Sequence, residues 1–176
     1  MKTLVTPRLE LSAWTDADAD VDALFDIYSR WEVARYLGTN PAVLTSRDQA
    51  ARASSRWGTR DDGFGVWAIR DGGAAVGSVL LQPIPWSEGA APEGTPEDVE
   101  IGWHLHPDAW GRGFASEAAS AVLEYARERG IPRVVAVTYP ENTASQRVCE
   151  RIGMTALGMS TRYYDMAAEL FEIDLG

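Results

Sequence analysis

Between Glu97 and Tyr139 the chain runs strand, glycine turn, helix, strand, and this order leaves little topological freedom. Glu97 to His106 alternates as a strand. It leads through Leu105-His106-Pro107-Asp108-Ala109-Trp110-Gly111-Arg112-Gly113 into a helix expected over Ala115 to Gly130. That helix has one apolar face, Ala115, Ala118, Ala119, Val122, Leu123 and Ala126, and Gly130 is placed to end it. Arg133 to Tyr139 is continuously apolar, as a strand in a parallel sheet centre must be. A strand–helix–strand unit of this kind closes as a right-handed parallel crossover.

Around this unit the signals are antiparallel. Phe64 to Arg70 and Ala74 to Gln82 flank Asp71-Gly72-Gly73, a hairpin turn, and two closing strands are expected near Ala156 to Tyr164 and Ala168 to Leu175. Arg8 to Trp14 reads as a first strand. Asp16 to Arg30 reads as a helix with Val21, Leu24, Phe25 and Tyr28 on one face. A second helix starts at Thr45 or Ser46 and runs to about Trp57, and a short one covers Asn142 to Ile152. The aromatic segment Trp31 to Leu37 reads as core, with lining of a cleft as the lesser alternative. Pro83 to Pro96 reads as a long surface loop. The predicted fold class is therefore α/β with a mixed sheet, in one domain spanning residues 1–176.

Composition narrows the partners. A net charge of −10 argues against nucleic acid, which needs clustered basic residues. The single cysteine, Cys149, excludes an intrachain disulfide and suits a reducing, cytoplasmic setting. No stretch reaches the length of a membrane span, and the first residues carry no signal-peptide core.

The turn at Gly111-Arg112-Gly113 gathers backbone N–H groups at the positive end of a helix, a seat for a phosphate-bearing ligand. Both glycines allow close approach, and Arg112 can add a charged fork. A P-loop needs Gly-Lys-Ser/Thr, and the only lysine is Lys2. A dinucleotide fingerprint belongs after the first strand, with a third glycine. A plain strand-to-helix turn is the remaining alternative.

Trp110-Gly111-Arg112-Gly113-Phe114-Ala115 resembles the acetyl-CoA pyrophosphate motif of the GNAT N-acetyltransferase superfamily, in the form used by its RimJ/RimL branch. Thr6-Pro7-Arg8-Leu9 is similar to that branch's opening strand, and Val99-Glu100-Ile101-Gly102-Trp103 to its fourth. Pro140 to Val148 with Arg151-Ile152-Gly153-Met154 resembles its last helix and following turn. The resemblance implies a GNAT fold with a splayed cleft, acetyl-CoA as co-substrate and no metal. It implies that Leu105 and His106 hold the pantetheine arm through their backbones. The pyrophosphate falls to Gly111, Arg112, Gly113, Phe114, Ala115 and Ser116, and Asn142 and Ser145 are expected against pantetheine and sulfur. The extended Pro83–Pro96 loop departs from the pattern, so acceptor specificity does not carry over.

Transfer to an amine requires the amine to be neutral. An α-amino group is about a tenth neutral at pH 7, whereas a lysine must give up roughly 4.6 kcal/mol, so a base helps both. Strand alternation puts Glu100, Gly102, His104 and His106 on one face. Glu100 is the first candidate base, and the branch commonly carries Glu there; His104 is the second. His104-x-His106 with no further histidine is a poor metal pair. Ser145 is the candidate acid for the departing sulfur, unless its hydroxyl only caps the helix, with Tyr139 and Tyr163 as substitutes. Cys149, at helical spacing from Ser145 and Ile152, reads as a packed thiol. Glu88, Glu93, Glu97 and Asp98 suggest an acidic rim that would draw a cationic amine, a peptide N-terminus or a small molecule. A homodimer is an open possibility, and a catalytically silent CoA-binding module is the rival function.

Overall fold

The computed structural model describes residues 1–58, 62–91 and 97–176. Their eight strands form one sheet: β1 (Leu4–Val5), β2 (Leu9–Ala13), β3 (Gly65–Asp71), β4 (Ala74–Ile84), β5 (Asp98–Leu105), β6 (Arg133–Thr138), β7 (Thr155–Ser160) and β8 (Ala168–Asp174). The spatial order is β1-β2-β3-β4-β5-β6-β8-β7. Every pairing is antiparallel except β5 with β6, the strands joined through α4 (Phe114–Glu128). The mixed sheet expected from the sequence is the one observed.

Both faces of the sheet are covered, and alternation assigns the residues. Trp67, Ile69, Val79, Leu81, Ile101 and Leu105 face α4, meeting Phe114, Ala118, Ala119, Val122 and Ala126. The opposite side chains of β3, Val66 and Ala68, pack beneath α1 (Asp18–Tyr28) and α3 (Arg47–Gly58) with Leu24, Ile27 and Ala53. The Asp71-Gly72-Gly73 turn forms with both glycines at positive φ, as a two-residue hairpin matched to strand twist requires. Arg70 clamps α1 to the sheet through two 2.8 Å bonds to Asp20. Burial opposes the charge on Asp20, but Arg70 and Thr15 outweigh it and hold its pKa down.

Three expectations need correction. The loop expected from Pro83 starts later, because β4 continues to Ile84 with Pro83 opposite Val99. Proline is tolerated there since β3 has already ended at Gly65↔Leu81, so no neighbour on that side needs the missing N–H. The described part of the loop is tied down: Trp86 bridges Tyr163, Ser87 N donates to Arg162 O at 2.8 Å, and Asp165 N donates to Ser87 Oγ at 2.8 Å. Glu93 lies outside the described residues. Trp31 to Leu37 is not simply core: α2 (Trp31–Ala34) buries Val33 and Ala34 but leaves Trp31 exposed. The acidic rim does not form as drawn, since Asp98 is bound to Arg133 and accepts from the Tyr163 hydroxyl.

Candidate active site

The site begins where two strands part. β5 and β6 pair only at Val99↔Val134 and Glu100↔Val135. Beyond that point β5 follows β4 to Leu105, and β6 follows β8 to Thr138. His106 N donates to Val76 O at 2.9 Å, which fixes the alternation along β5. His104 and Gly102 therefore direct their backbone groups at β4, while Ile101, Trp103 and Leu105 direct theirs into the gap. On the opposite wall Thr138 Oγ1 is buried with no hydrogen-bond partner among the described residues. The gap opens into a cleft of about 770 Å³, walled by β5, β6, α2 and the first turns of α4 and α5 (Thr143–Arg151).

At the mouth of the gap lies the glycine turn. Gly111 (φ 72°) and Gly113 (φ 79°) take left-handed backbone, which brings the chain round into α4. The first amide of this helix to reach a carbonyl is that of Glu117, bonded to Gly113 O at 3.1 Å. The N–H groups of residues 111–116 thus find no backbone acceptor among the described residues, and they line the cleft. Such a run of amides at a helix N-terminus is built for an anion. Arg112 does not reach between the glycines as a fork; its guanidinium stacks on Phe114 at 4.2 Å and pairs with Asp71 at 2.9 Å. Arg151 closes the far side, donating to Ser116 Oγ at 3.2 Å.

The two candidate bases have different surroundings. Glu100 is buried and is not among the residues lining the cleft, accepting from Gln82 Nε2 at 2.8 Å and from the Tyr164 hydroxyl. Burial raises its pKa against the opposing pull of those two donors. Tyr164 holds this position with a left-handed backbone (φ 60°), rare for an aromatic residue. His104 lines the cleft, with Nδ1 turned to the Tyr28 hydroxyl at 3.1 Å. Burial lowers its pKa to about 4, so the imidazole is neutral at physiological pH. His106 lies apart, between Asp26 (3.2 Å from Nε2) and the Asp108 N–H that donates to Nδ1 at 3.2 Å. Its backbone N–H is already committed to Val76, which leaves the gap-facing N–H of Leu105 for a ligand, the Leu105 carbonyl being met by the Trp110 indole at 2.9 Å.

On α5, Asn142 is the N-cap: its Oδ1 accepts from Ser145 N at 3.3 Å. The Ser145 hydroxyl does not cap, has no partner among the described residues, and belongs to a residue of the cleft wall. The substitute acids are engaged elsewhere. Tyr139 donates to Gly38 O at 2.7 Å, and Tyr163 donates to Asp98, its pKa pushed up to about 12 by burial and that carboxylate. Cys149 is buried, and burial pushes its thiol up to about 12, which disfavours the thiolate. Glu32, Arg35 and Tyr36 line the wall, so the lesser alternative for Trp31 to Leu37 holds there; Arg147 of α5 also lines it, and sequence reading gives that residue no role although it lies in the Pro140 to Val148 motif. Among the described residues no cluster could hold a metal ion, and no helix is long and apolar enough to cross a membrane.

A split mixed sheet with an amide cradle at its mouth is the architecture of an acetyltransferase. A family profile described as "Acetyltransferase (GNAT) domain" matches residues 8–155, and the chain belongs to that family. It is similar to the N-acetyltransferase YnaD of Bacillus subtilis, 31% identical over 158 residues, covering 89% of this chain and 82% of that one. It is also similar to the FsC-acetyl coenzyme A-N(2)-transacetylase of Aspergillus fumigatus, 34% identical over 104 residues, covering 58% and 44% of the two chains. In fold it resembles a GNAT acetyltransferase from Bacillus anthracis (TM-score 0.77, 22% identity, 99% of both chains). It also resembles the ribosomal L7/L12 alpha-N-protein acetyltransferase RimL, solved with coenzyme A (TM-score 0.76, 18% identity, 98% of both chains).

Proposed function

We propose that the protein transfers the acetyl group of acetyl-CoA to a primary amine, by direct attack while both are bound. The observation that carries this reading is the strand divergence after Glu100↔Val135, which leaves the Trp103 and Leu105 backbones facing a gap that leads to the six amides of residues 111–116. The cradle suits a pyrophosphate and the gap suits an extended pantetheine arm. Acetyl-CoA supplies an activated thioester. The backbone N–H groups turned into the gap are placed to stabilise charge on its carbonyl oxygen. His104 is the base candidate on the cleft wall, and Glu100 lies on the same face of β5 four residues earlier, outside the cleft lining. Ser145, free on α5, is the candidate donor to the sulfur as the C–S bond breaks. The proton lost by the amine goes to His104 or to water.

The acceptor we favour is a peptide N-terminus, ahead of a small amine. Its α-amino group needs little deprotonation, which fits a wall whose only histidine is held neutral with a low pKa. RimL, alike in fold, is a ribosomal L7/L12 alpha-N-protein acetyltransferase. The test is thiol release from acetyl-CoA across a panel of peptide N-termini and small amines, alongside calorimetric CoA binding. CoA binding with peptide-dependent release supports the reading. Tight CoA binding with no release to any amine would leave a CoA-binding module.

A further inference from the structure

His104 belongs to a chain of hydrogen-bonding groups whose other two members, Tyr28 and Ser78, the reaction scheme leaves unused. Its Nδ1 lies 3.1 Å from the Tyr28 hydroxyl, which itself donates to Ser78 Oγ at 2.9 Å. Ser78 and Tyr28 are both buried, and Ser78 faces His104 directly in the β4–β5 register. The ring of Tyr28 is fixed edge-on to both His104 (5.8 Å) and Trp57 (5.6 Å). Burial keeps the phenol protonated far above its ordinary range. It therefore has a single proton to give, and in the arrangement in which Tyr28 donates to Ser78 Oγ that proton is not available to His104.

The consequence for the imidazole is a matter of counting protons. With its proton on Ser78, the Tyr28 oxygen offers only lone pairs to Nδ1. A 3.1 Å contact between two lone pairs is repulsive, so Nδ1 must carry hydrogen and donate to Tyr28. A neutral ring has one N–H, which leaves Nε2 bare. We propose that Tyr28 is a positioning residue that fixes this tautomer of His104 and so presents Nε2 as a hydrogen-bond acceptor for the incoming amine. This rests on the amine-acetylation reading above. Accepting an N–H of the neutral amine through Nε2 would aim the nitrogen lone pair away from the ring, towards the gap between β5 and β6. The opposite tautomer would present an N–H that bonds to the amine lone pair and holds it back from the thioester.

His106 supplies an internal standard. Its Nδ1 accepts from Asp108 N, so its proton sits on Nε2, facing Asp26. The chain holds two histidines, and they should be opposite tautomers. Nitrogen-15 spectra of the imidazoles at neutral pH report this directly without any turnover, with a His106→Asn variant to assign the signals. We expect His104 protonated at Nδ1 and His106 at Nε2. Ser78→Ala removes the acceptor of the Tyr28 hydroxyl, which then donates to His104 and moves the ring proton to Nε2. In that variant kcat/KM for the amine should fall by at least about ten-fold, because a base held in the wrong tautomer loses its acceptor, with CoA affinity unchanged. Tyr28→Phe, which keeps the ring, should lower it similarly, and adding Ser78→Ala to it should do nothing further. Wild-type His104 protonated at Nε2, or a Ser78→Ala proton that does not move, overturns the proposal. So does a moved proton with unaltered amine kinetics. Failure to acetylate any amine would instead defeat the function reading, while the spectra still decide the tautomer.

Discussion

Arg8 Nη1 donates to the carbonyl oxygen of Arg112 at 2.8 Å, joining the first long strand to the middle of the glycine turn. The same guanidinium pairs with Glu117 at 2.6 Å and lies over Phe114 at 4.9 Å. Glu117 sits in the first turn of α4. Burial opposes its charge, but Thr6 and Arg8 outweigh this and keep it ionised. Arg8 thus both shapes the cradle and offsets a carboxylate beside the anion seat. Arg8→Ala should weaken CoA binding about ten-fold by calorimetry. Arg8→Ala with Glu117→Gln should recover part of that loss, because the uncompensated charge is gone.

The two cradle glycines differ in what surrounds them. A Cβ on Gly113 would come within 3.4 Å of Arg8 Nη2, whereas one on Gly111 meets nothing within 4 Å. Both carry positive φ, so Gly111→Ala should cost stability of about 1 kcal/mol from backbone strain. Gly113→Val should add loss of CoA affinity, through the displaced Arg8 and the blocked approach. Equal CoA affinity in wild type and Gly113→Val, with the fold intact, would remove the pyrophosphate from this turn.

Asn142 and Ser145 are expected to separate stability from rate. Asn142 carries the cap, so Asn142→Ala should cost about 1 kcal/mol in thermal unfolding. Ser145→Ala should leave the melting temperature unchanged and lower kcat about ten-fold, near 1.4 kcal/mol of transition-state stabilisation. A Ser145→Ala enzyme at full single-turnover rate would strip the hydroxyl of that role.

Glu100 and His104 can be ranked by kinetics. His104→Gln should reduce amine turnover at neutral pH more than Glu100→Gln does, and the deficit should shrink as rising pH deprotonates the amine unaided. Glu100→Gln should be at least as stable as wild type at neutral pH, because a buried carboxylate whose pKa is raised disfavours its own charged form. A larger rate loss for Glu100→Gln would return the base to that residue.

Stability should also follow His104 in acid. Its folded pKa near 4 lies below the ordinary 6.5, so the unfolded chain takes up a proton that the native state refuses. Stability contributed by the neutral ring is complete above pH 6.5 and drains away as pH falls towards 4, by at most about 3 kcal/mol. Asp20 and Glu117, with lowered pKa values, lose theirs at still lower pH. Urea unfolding of wild type and His104→Gln between pH 7 and 4 checks this; parallel curves would show that the ring is not neutralised by burial.

Much of this was legible because it is local. The Asp71-Gly72-Gly73 turn, the apolar face of α4 and the glycine cradle follow from residues adjacent in the chain. Thr6-Pro7-Arg8-Leu9 could be matched as a pattern but not explained, since its reason, Glu117 and Arg112, lies a hundred residues away. The same holds for Glu100, which alternation put on one face of β5 with His104 but which Tyr164 and Gln82 enclose from elements distant in sequence. Tyr28 looked like one more apolar position of an amphipathic helix. Its hydroxyl acquires a role only when β4 brings Ser78 beneath it.

The placement of β8 between β6 and β7 bears on how the molecule is made. β6 shares only two register pairs with β5 but six with β8, the last strand in sequence order. During vectorial synthesis the β6 wall of the cleft therefore lacks its main neighbour until Ala168–Asp174 has left the ribosome. The nascent chain passes through a stage with a completed glycine cradle and an unsupported far wall. Binding of CoA should then follow, and not precede, the emergence of β8.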